Sequence, residues 1–145
     1  MSILKKTLIA SAALALPFSV SANSKLEKMM SDPNQWVQQS GNYAGERYTE
    51  LDQINKSNVG SLKVAWSFST GVLRGHEGSP LVIGDVMYVH TAIPNIVYAL
   101  DLNDDQKILW KYNPVKGGKY PGGETMDRVI SVMCCDNVNR GVNYH

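Results

Sequence analysis

From Leu62 onward, apolar and polar side chains alternate with a period of two, and this pattern constrains the fold more than any other feature. Val64, Trp66 and Phe68 alternate with small or polar neighbours, as in a β-strand that buries one face. Further apolar runs follow over 80–83, 86–91, 96–101 and 108–112. Turn sequences separate them at 84–85, 94–95 and 103–106. The pattern predicts short antiparallel strands joined by tight turns.

The aromatic residues indicate how these strands are grouped. Trp66 and Trp110 each lie in an aromatic strand that ends a unit of about 40 residues, the period expected for β-propeller blades. A Gly- and Pro-rich stretch over 113–128 predicts an irregular surface loop, after which 129–133 resumes the strand pattern. One blade cannot bury both faces of its sheet. We therefore predict an all-β chain that holds the first blades of a larger propeller and is incomplete by itself.

The first 22 residues have the pattern of a secretory signal peptide. Lys5 and Lys6 form a basic region, an apolar run extends from Leu8 to Val20, and small residues at 20–22 offer a cleavage site. A membrane anchor is the lesser alternative, because the apolar run is shorter than the roughly 20 residues that span a bilayer. We predict export to an oxidising compartment, where disulfides persist.

Charge excludes one class of partner. Cleavage after residue 22 of 145 would leave 123 residues, and the loss of Lys5 and Lys6 would change 14 basic against 13 acidic residues into 12 against 13. A net charge near −1 argues against a nucleic-acid partner.

A short amphipathic helix is expected within 23–35, ahead of the propeller sequence at 36–145. Ser24 and Glu27 have the spacing of a capping box, and Pro33 ends the helical pattern. The methionines of this segment have the spacing of packing residues, and we assign them no metal-binding role.

Cys134 and Cys135 are adjacent and are the only cysteines of the chain. Their Cα atoms lie about 3.8 Å apart across a trans peptide, closer than the roughly 4.4–6.8 Å of ordinary disulfides, so joining them would form a strained ring. Two buried thiols that never react are one interpretation. A local disulfide is the other, and the predicted export favours it.

Several stretches together resemble the large subunits of pyrroloquinoline quinone (PQQ) dependent methanol and alcohol dehydrogenases. They are Trp66-Ser-Phe-Ser-Thr-Gly71, Arg74-Gly-His-Glu-Gly-Ser-Pro-Leu81, Met87-Tyr-Val-His-Thr91, Tyr98-Ala-Leu-Asp-Leu-Asn-Asp104, Ile108-Leu-Trp-Lys111 and Cys134-Cys-Asp-Asn-Val-Asn-Arg-Gly141. The resemblance covers nearly all of 36–145. Residues 79–85 and 132–133 are more similar to the lanthanide-dependent branch of this quinoprotein family than to the calcium branch.

The resemblance implies an eight-bladed propeller of four-stranded antiparallel blades, with PQQ near its central axis. Ala99, Asp101 and Trp110 resemble the tryptophan-docking motif that joins neighbouring blades. In this chain Asp-Asp-Gln-Lys replaces the Thr-Gly of that motif and the spacing is one residue longer, so the docking geometry departs from the family pattern.

The resemblance also assigns cofactor-binding residues. Cys134 and Cys135 would form a vicinal disulfide lying flat on one face of PQQ, and an electron-shuttling disulfide is the alternative. Arg140 would pair with a PQQ carboxylate, for which the planar guanidinium is suited. Val138 would line the same pocket, and Glu77 would lie at the cofactor carboxylates.

The implied activity is oxidation of a small primary alcohol, methanol above all, to an aldehyde in the periplasm. PQQ and either Ca²⁺ or a lanthanide ion would be the cofactors, a cytochrome c the electron acceptor, and a homodimer the state of the full-length subunit. The resemblance places the catalytic base and the metal ligands in later blades, so no residue of 1–145 is predicted to be catalytic or metal-binding. His76 and His90 are predicted to be structural.

Two other interpretations remain. A non-catalytic propeller scaffold would show the tryptophan repeats, but it would not need Glu77, the cysteine pair and Arg140 together. A truncated, inactive gene product is the second, because a piece of a propeller leaves blade surfaces uncovered.

Overall fold

The computed structural model describes residues 23–114, 132 and 138–145. One helix, α1, spans Ser24–Met30, and a short 3-10 helix spans Val59–Ser61. Four strands follow: β1 is Leu81–Ile83, β2 is Val86–His90, β3 is Val97–Asp101 and β4 is Ile108–Tyr112. They form one antiparallel sheet in the order β1-β2-β3-β4. This meander confirms the predicted four-stranded blade.

Tight turns between strands set the register of the sheet. Gly84, with a φ of 58°, turns the chain between β1 and β2, and Asn95, with a φ of 61°, lies in the turn before β3. Tyr88 on β2 is then opposite Ala99 on β3, and Ala99 is opposite Trp110 on β4. The turns predicted at 84–85, 94–95 and 103–106 therefore lie where the sequence places them.

One face of the sheet carries the core. Ile96, Tyr98 and Leu100 are buried on it, and Phe68, Val72, Met87 and Val89 pack against them. The rings of Phe68 and Tyr98 meet edge to face with centroids 5.1 Å apart, and the Tyr98 hydroxyl donates a hydrogen bond of 2.9 Å to the Thr70 carbonyl. The segment 68–72 thus covers this face of the sheet.

The opposite face borders an open apolar cavity of about 500 Å³. Its lining comes from all four strands and from the segment 142–144: Leu81, Ile83, Tyr88, Val97, Trp110, Tyr112, Val142, Asn143 and Tyr144. Trp110 contacts Tyr88 at a ring distance of 5.8 Å but stays 46% exposed. A sheet that is apolar on both faces fits a propeller blade, which is packed between two neighbours.

The strand predicted over 62–69 is not present. The backbone there has no strand assignment, and Val64 is 86% exposed. Strand structure depends on hydrogen bonds to a neighbouring strand, and no segment among the described residues pairs with this one. The period-two pattern correctly indicated that Phe68 faces a core, although it predicted pairing that these residues do not make.

The helix α1 lies inside the predicted range of 23–35, but its N-cap is Asn23 rather than Ser24. The Asn23 side-chain oxygen accepts a hydrogen bond of 3.2 Å from the Leu26 N–H, which satisfies one free donor of the first turn. After the helix, the Asp32 carboxylate accepts a 2.9 Å hydrogen bond from the Asn34 N–H, and this bond lowers the pKa of Asp32. Trp36 then pairs with Val82 of β1 through two backbone hydrogen bonds.

Other predictions concern residues outside those described. The signal peptide at 1–22 and the loop residues 115–128 lie there, as does the run 129–133 apart from Val132. Within 23–114 and 138–145, no helix is long and apolar enough to cross a membrane.

Candidate functional site

Three of the five predicted cofactor residues can be placed. Glu77 lies just before β1, and Val138 and Arg140 lie in the segment 138–145, which passes the same end of the sheet. Cys134 and Cys135 lie outside the described residues, so their pairing stays a prediction. The candidate site is therefore the end of the sheet where β1 begins and β2 ends.

Glu77 and Arg140 come together at this end although they are far apart in sequence. An Arg140 guanidinium nitrogen (Nη2) lies 3.8 Å from a Glu77 carboxylate oxygen (Oε2), with side chains 79% and 53% exposed. An exposed pair at this distance contributes only about 0–1 kcal/mol to stability. The pair therefore adds little to the stability of the fold. Because the guanidinium is exposed, an anionic ligand can reach its N–H donors.

His90, the last residue of β2, is buried at this end of the sheet with 5% of its surface exposed. Its Nε2 lies 2.9 Å from the Asn139 carbonyl oxygen. A carbonyl only accepts, so Nε2 carries the hydrogen and donates it. The other ring nitrogen, Nδ1, is buried without a hydrogen-bond partner among the described residues. Nothing in the sequence indicated that His90 would contact Asn139.

His76 lies nearby in a different setting. Its Nδ1 is 2.7 Å from the Arg74 carbonyl and its Nε2 is 3.2 Å from the Thr70 hydroxyl, so its ring holds the loop that precedes Glu77. In the part of the chain that the structure describes, no group of three or more His, Cys, Asp or Glu side chains could hold a metal ion. Neither histidine has the neighbours of a metal ligand there.

Gly78 makes the close packing at the site possible. A Cβ atom added to Gly78 would overlap Nε2 and Cε1 of His90 and lie 2.9 Å from the Arg140 carbonyl oxygen. The backbone beside Glu77, the imidazole and the backbone of Arg140 are thus in direct contact. Only glycine fits between them without displacing one of the other two.

We expect Gly78→Ala to lower the free energy of unfolding by about 1–3 kcal/mol, because the added methyl group must displace the buried ring or the backbone. Gly60→Ala is the matched control, since a Cβ there meets no atom within 4 Å. That change should be neutral or stabilise by up to about 1 kcal/mol. Urea unfolding of both variants measures the difference, and equal stabilities would contradict the packing described here.

Comparison with known proteins places this chain in a family. The model of the family described as PQQ, glucose/ethanol/alcohol dehydrogenase β-propeller domain matches residues 36–145. The chain is 55% identical over 133 residues to the lanthanide-dependent methanol dehydrogenase of Methylorubrum extorquens, covering 92% of this chain and 21% of that protein. It is 49% identical over 123 residues to methanol dehydrogenase [cytochrome c] subunit 1 of Paracoccus denitrificans, covering 85% of this chain and 18% of that protein.

Comparison with solved structures supports the same family. A solved europium-containing methanol dehydrogenase superposes with a TM-score of 0.75 at 52% identity, over 85% of this chain and 20% of that one. The chain thus spans about a fifth of the length of the relatives it matches. Because the family model matches most of the chain and the sheet has the form of a propeller blade, the chain belongs to the family of the PQQ, glucose/ethanol/alcohol dehydrogenase β-propeller domain.

Proposed function

We propose that the full-length protein is a periplasmic enzyme that oxidises methanol or another small primary alcohol to an aldehyde, using PQQ and a lanthanide ion or Ca²⁺. Electrons would pass to a cytochrome c. Relatives named lanthanide-dependent methanol dehydrogenase, at 55% and 51% identity, support the substrate and favour a lanthanide. A relative named methanol dehydrogenase [cytochrome c] subunit 1 supports the electron acceptor.

The observation that carries this proposal is the convergence of Glu77 and Arg140 at one end of the blade, 3.8 Å apart and exposed. The resemblance assigns both residues to PQQ carboxylates, and they are otherwise unrelated in sequence position. Arg140 presents a planar fork of donors that suits a carboxylate. Glu77, 3.8 Å away, can orient this fork by charge attraction without forming a hydrogen bond to it, which leaves the guanidinium donors for the cofactor.

The donor set of this region fits PQQ, a planar and multiply anionic molecule. Arg140 would bind a carboxylate, the partly exposed Val138 would contact the ring system, and the cysteine pair would cover one ring face. When bound, PQQ supplies the group that accepts hydride from the alcohol. This chain's own residues would hold the cofactor in position, and the proton acceptor and metal ligands would come from elsewhere in the full-length protein.

The proposed periplasmic location rests on the predicted signal peptide at 1–22 and on the adjacent cysteines. Both are features of the sequence that suit an exported protein. A homodimer of the full-length subunit is also proposed, on the resemblance alone.

The test is reconstitution of the full-length apoprotein. We expect it to bind PQQ, as followed by the absorbance of the cofactor, and then to reduce cytochrome c in the presence of methanol and La³⁺ or Ca²⁺. Higher activity with La³⁺ than with Ca²⁺ would support the lanthanide branch. Failure to bind PQQ would sink the proposal and leave a propeller scaffold as the better interpretation. PQQ binding without alcohol oxidation under either metal would overturn the proposed substrate class.

A further inference from the structure

We infer that His90 is a positioning residue for PQQ binding, which sets the place of Arg140 by holding the backbone on its N-terminal side. The inference rests on the proposed function, because it concerns the same site. It assigns a specific role to a histidine that the sequence pattern marked only as structural.

The first step is the hydrogen bond between His90 and Asn139. The imidazole Nε2–H donates to the Asn139 carbonyl at 2.9 Å, and the His90 side chain is almost completely buried. A hydrogen bond shielded from water is stronger than an exposed one, and its loss leaves a carbonyl without its partner. The peptide unit that joins Asn139 to Arg140 is therefore fixed to the end of β2.

The second step concerns the other side of Arg140. The Asn139 side-chain oxygen accepts a hydrogen bond of 2.9 Å from the Gly141 N–H. This contact closes a turn around Arg140, which therefore has a restrained residue on each side. The turn fixes the local conformation, whereas His90 fixes where the turn lies relative to the sheet.

The third step is the contact with Gly78. Its Cα lies so close to the His90 ring that a Cβ would overlap it, and the Arg140 carbonyl adjoins the same point. One imidazole thus touches the residue after Glu77 and the residue before Arg140. It is the shared support of the two charged residues that are predicted to meet the cofactor carboxylates.

Backbone support matters here because the Arg140 side chain has few contacts with the other residues that the structure describes. The side chain is 79% exposed, and its contact with Glu77 is 3.8 Å long. A long side chain in water loses conformational entropy when it binds, and that cost grows when its backbone anchor can also move. A displaced anchor should therefore weaken cofactor binding even with the guanidinium intact.

The test compares His90→Leu, His90→Gln and His90→Asn in the full-length protein, with PQQ affinity of the apoprotein as the readout. The amide nitrogen of glutamine can occupy the place of Nε2, whereas the shorter asparagine reaches only the place of Nδ1. We expect the Leu and Asn variants to bind PQQ about tenfold more weakly, the size of one buried hydrogen bond, and the Gln variant to recover most of the affinity.

A double-mutant cycle separates positioning from general support of the fold. If His90 acts through Arg140, His90→Leu should change PQQ affinity less than about twofold when it is made in the Arg140→Ala protein. Additive effects of the two changes would overturn the inference. Should the Leu variant fail to fold, the comparison of Gln with Asn decides, and equal affinity of these two would also overturn it.

The outcomes distinguish this inference from the proposed function. If the unchanged protein does not bind PQQ, the proposed function fails. If it binds PQQ and the Leu and Asn variants bind it equally well, the proposed function stands and the role of His90 is wrong.

Discussion

Replacement of Leu100 by alanine should lower the free energy of unfolding by about 2–5 kcal/mol. Leu100 is completely buried in the core cluster, against which Phe68 and Val72 pack. Alanine would remove apolar contacts and leave a cavity, because the antiparallel register holds the neighbouring strands in place. Urea unfolding of the full-length protein, compared with the unchanged protein, measures the loss.

Leu109→Ala is the matched control. Leu109 lies on the neighbouring strand β4, beside the irregularity that shifts the register between β3 and β4, and it is 47% exposed. The same substitution there should lower the free energy of unfolding by less than about 1 kcal/mol, because a half-exposed leucine buries only part of its apolar surface on folding. Similar losses for the two variants would contradict the burial of Leu100 in the core.

The local parts of this fold could be predicted because their signals lie within a few residues. Gly84 and Asn95 mark turns through their tolerance of positive φ, and the runs between turns are long enough for one strand each. The predicted N-cap of α1 was one residue too late. Asn23 and Ser24 are both good capping residues, and only the structure shows which side chain accepts a hydrogen bond from the first turn.

The strand predicted over 62–69 was wrong for a different reason. Alternation indicates which side chains of an extended segment can be buried, but a strand also needs a partner for its backbone. Phe68 finds the core, whereas Val64, earlier in the same pattern, remains exposed. Pairing is a property of two segments, and the pattern of one segment does not contain it.

The candidate site also has features that the sequence predicted and features that only the structure shows. The resemblance named Glu77 and Arg140 separately, and the fold brings them within 3.8 Å. The role inferred for His90 depends on its contacts with Gly78 and Asn139, which join three separate segments of the chain. A lone histidine in an apolar strand gives no hint of such contacts. For the cysteine pair, the sequence makes a specific prediction, but the pair lies outside the described residues and the structure does not test it.

Arg140→Ala should weaken PQQ binding by the full-length apoprotein by about 10–100-fold, which corresponds to the loss of a hydrogen-bonded charge pair of about 1.5–3 kcal/mol. The fold should be unaffected, because the side chain is 79% exposed and its pairing with Glu77 is long. Titration of apoprotein with PQQ measures the affinity, and urea unfolding of the same samples shows whether stability has changed.

Two further variants separate the geometry of Arg140 from its charge. Arg140→Lys keeps the positive charge but loses the planar fork, so it should recover only part of the affinity. Lys63→Ala removes an exposed positive charge from the segment 62–69, and it should leave PQQ affinity unchanged. If Lys63→Ala weakens binding as much as Arg140→Ala, the cofactor responds to overall charge and not to a carboxylate contact. If neither change matters, Arg140 does not bind PQQ, and the convergence of Glu77 and Arg140 is a surface ion pair of little energetic consequence.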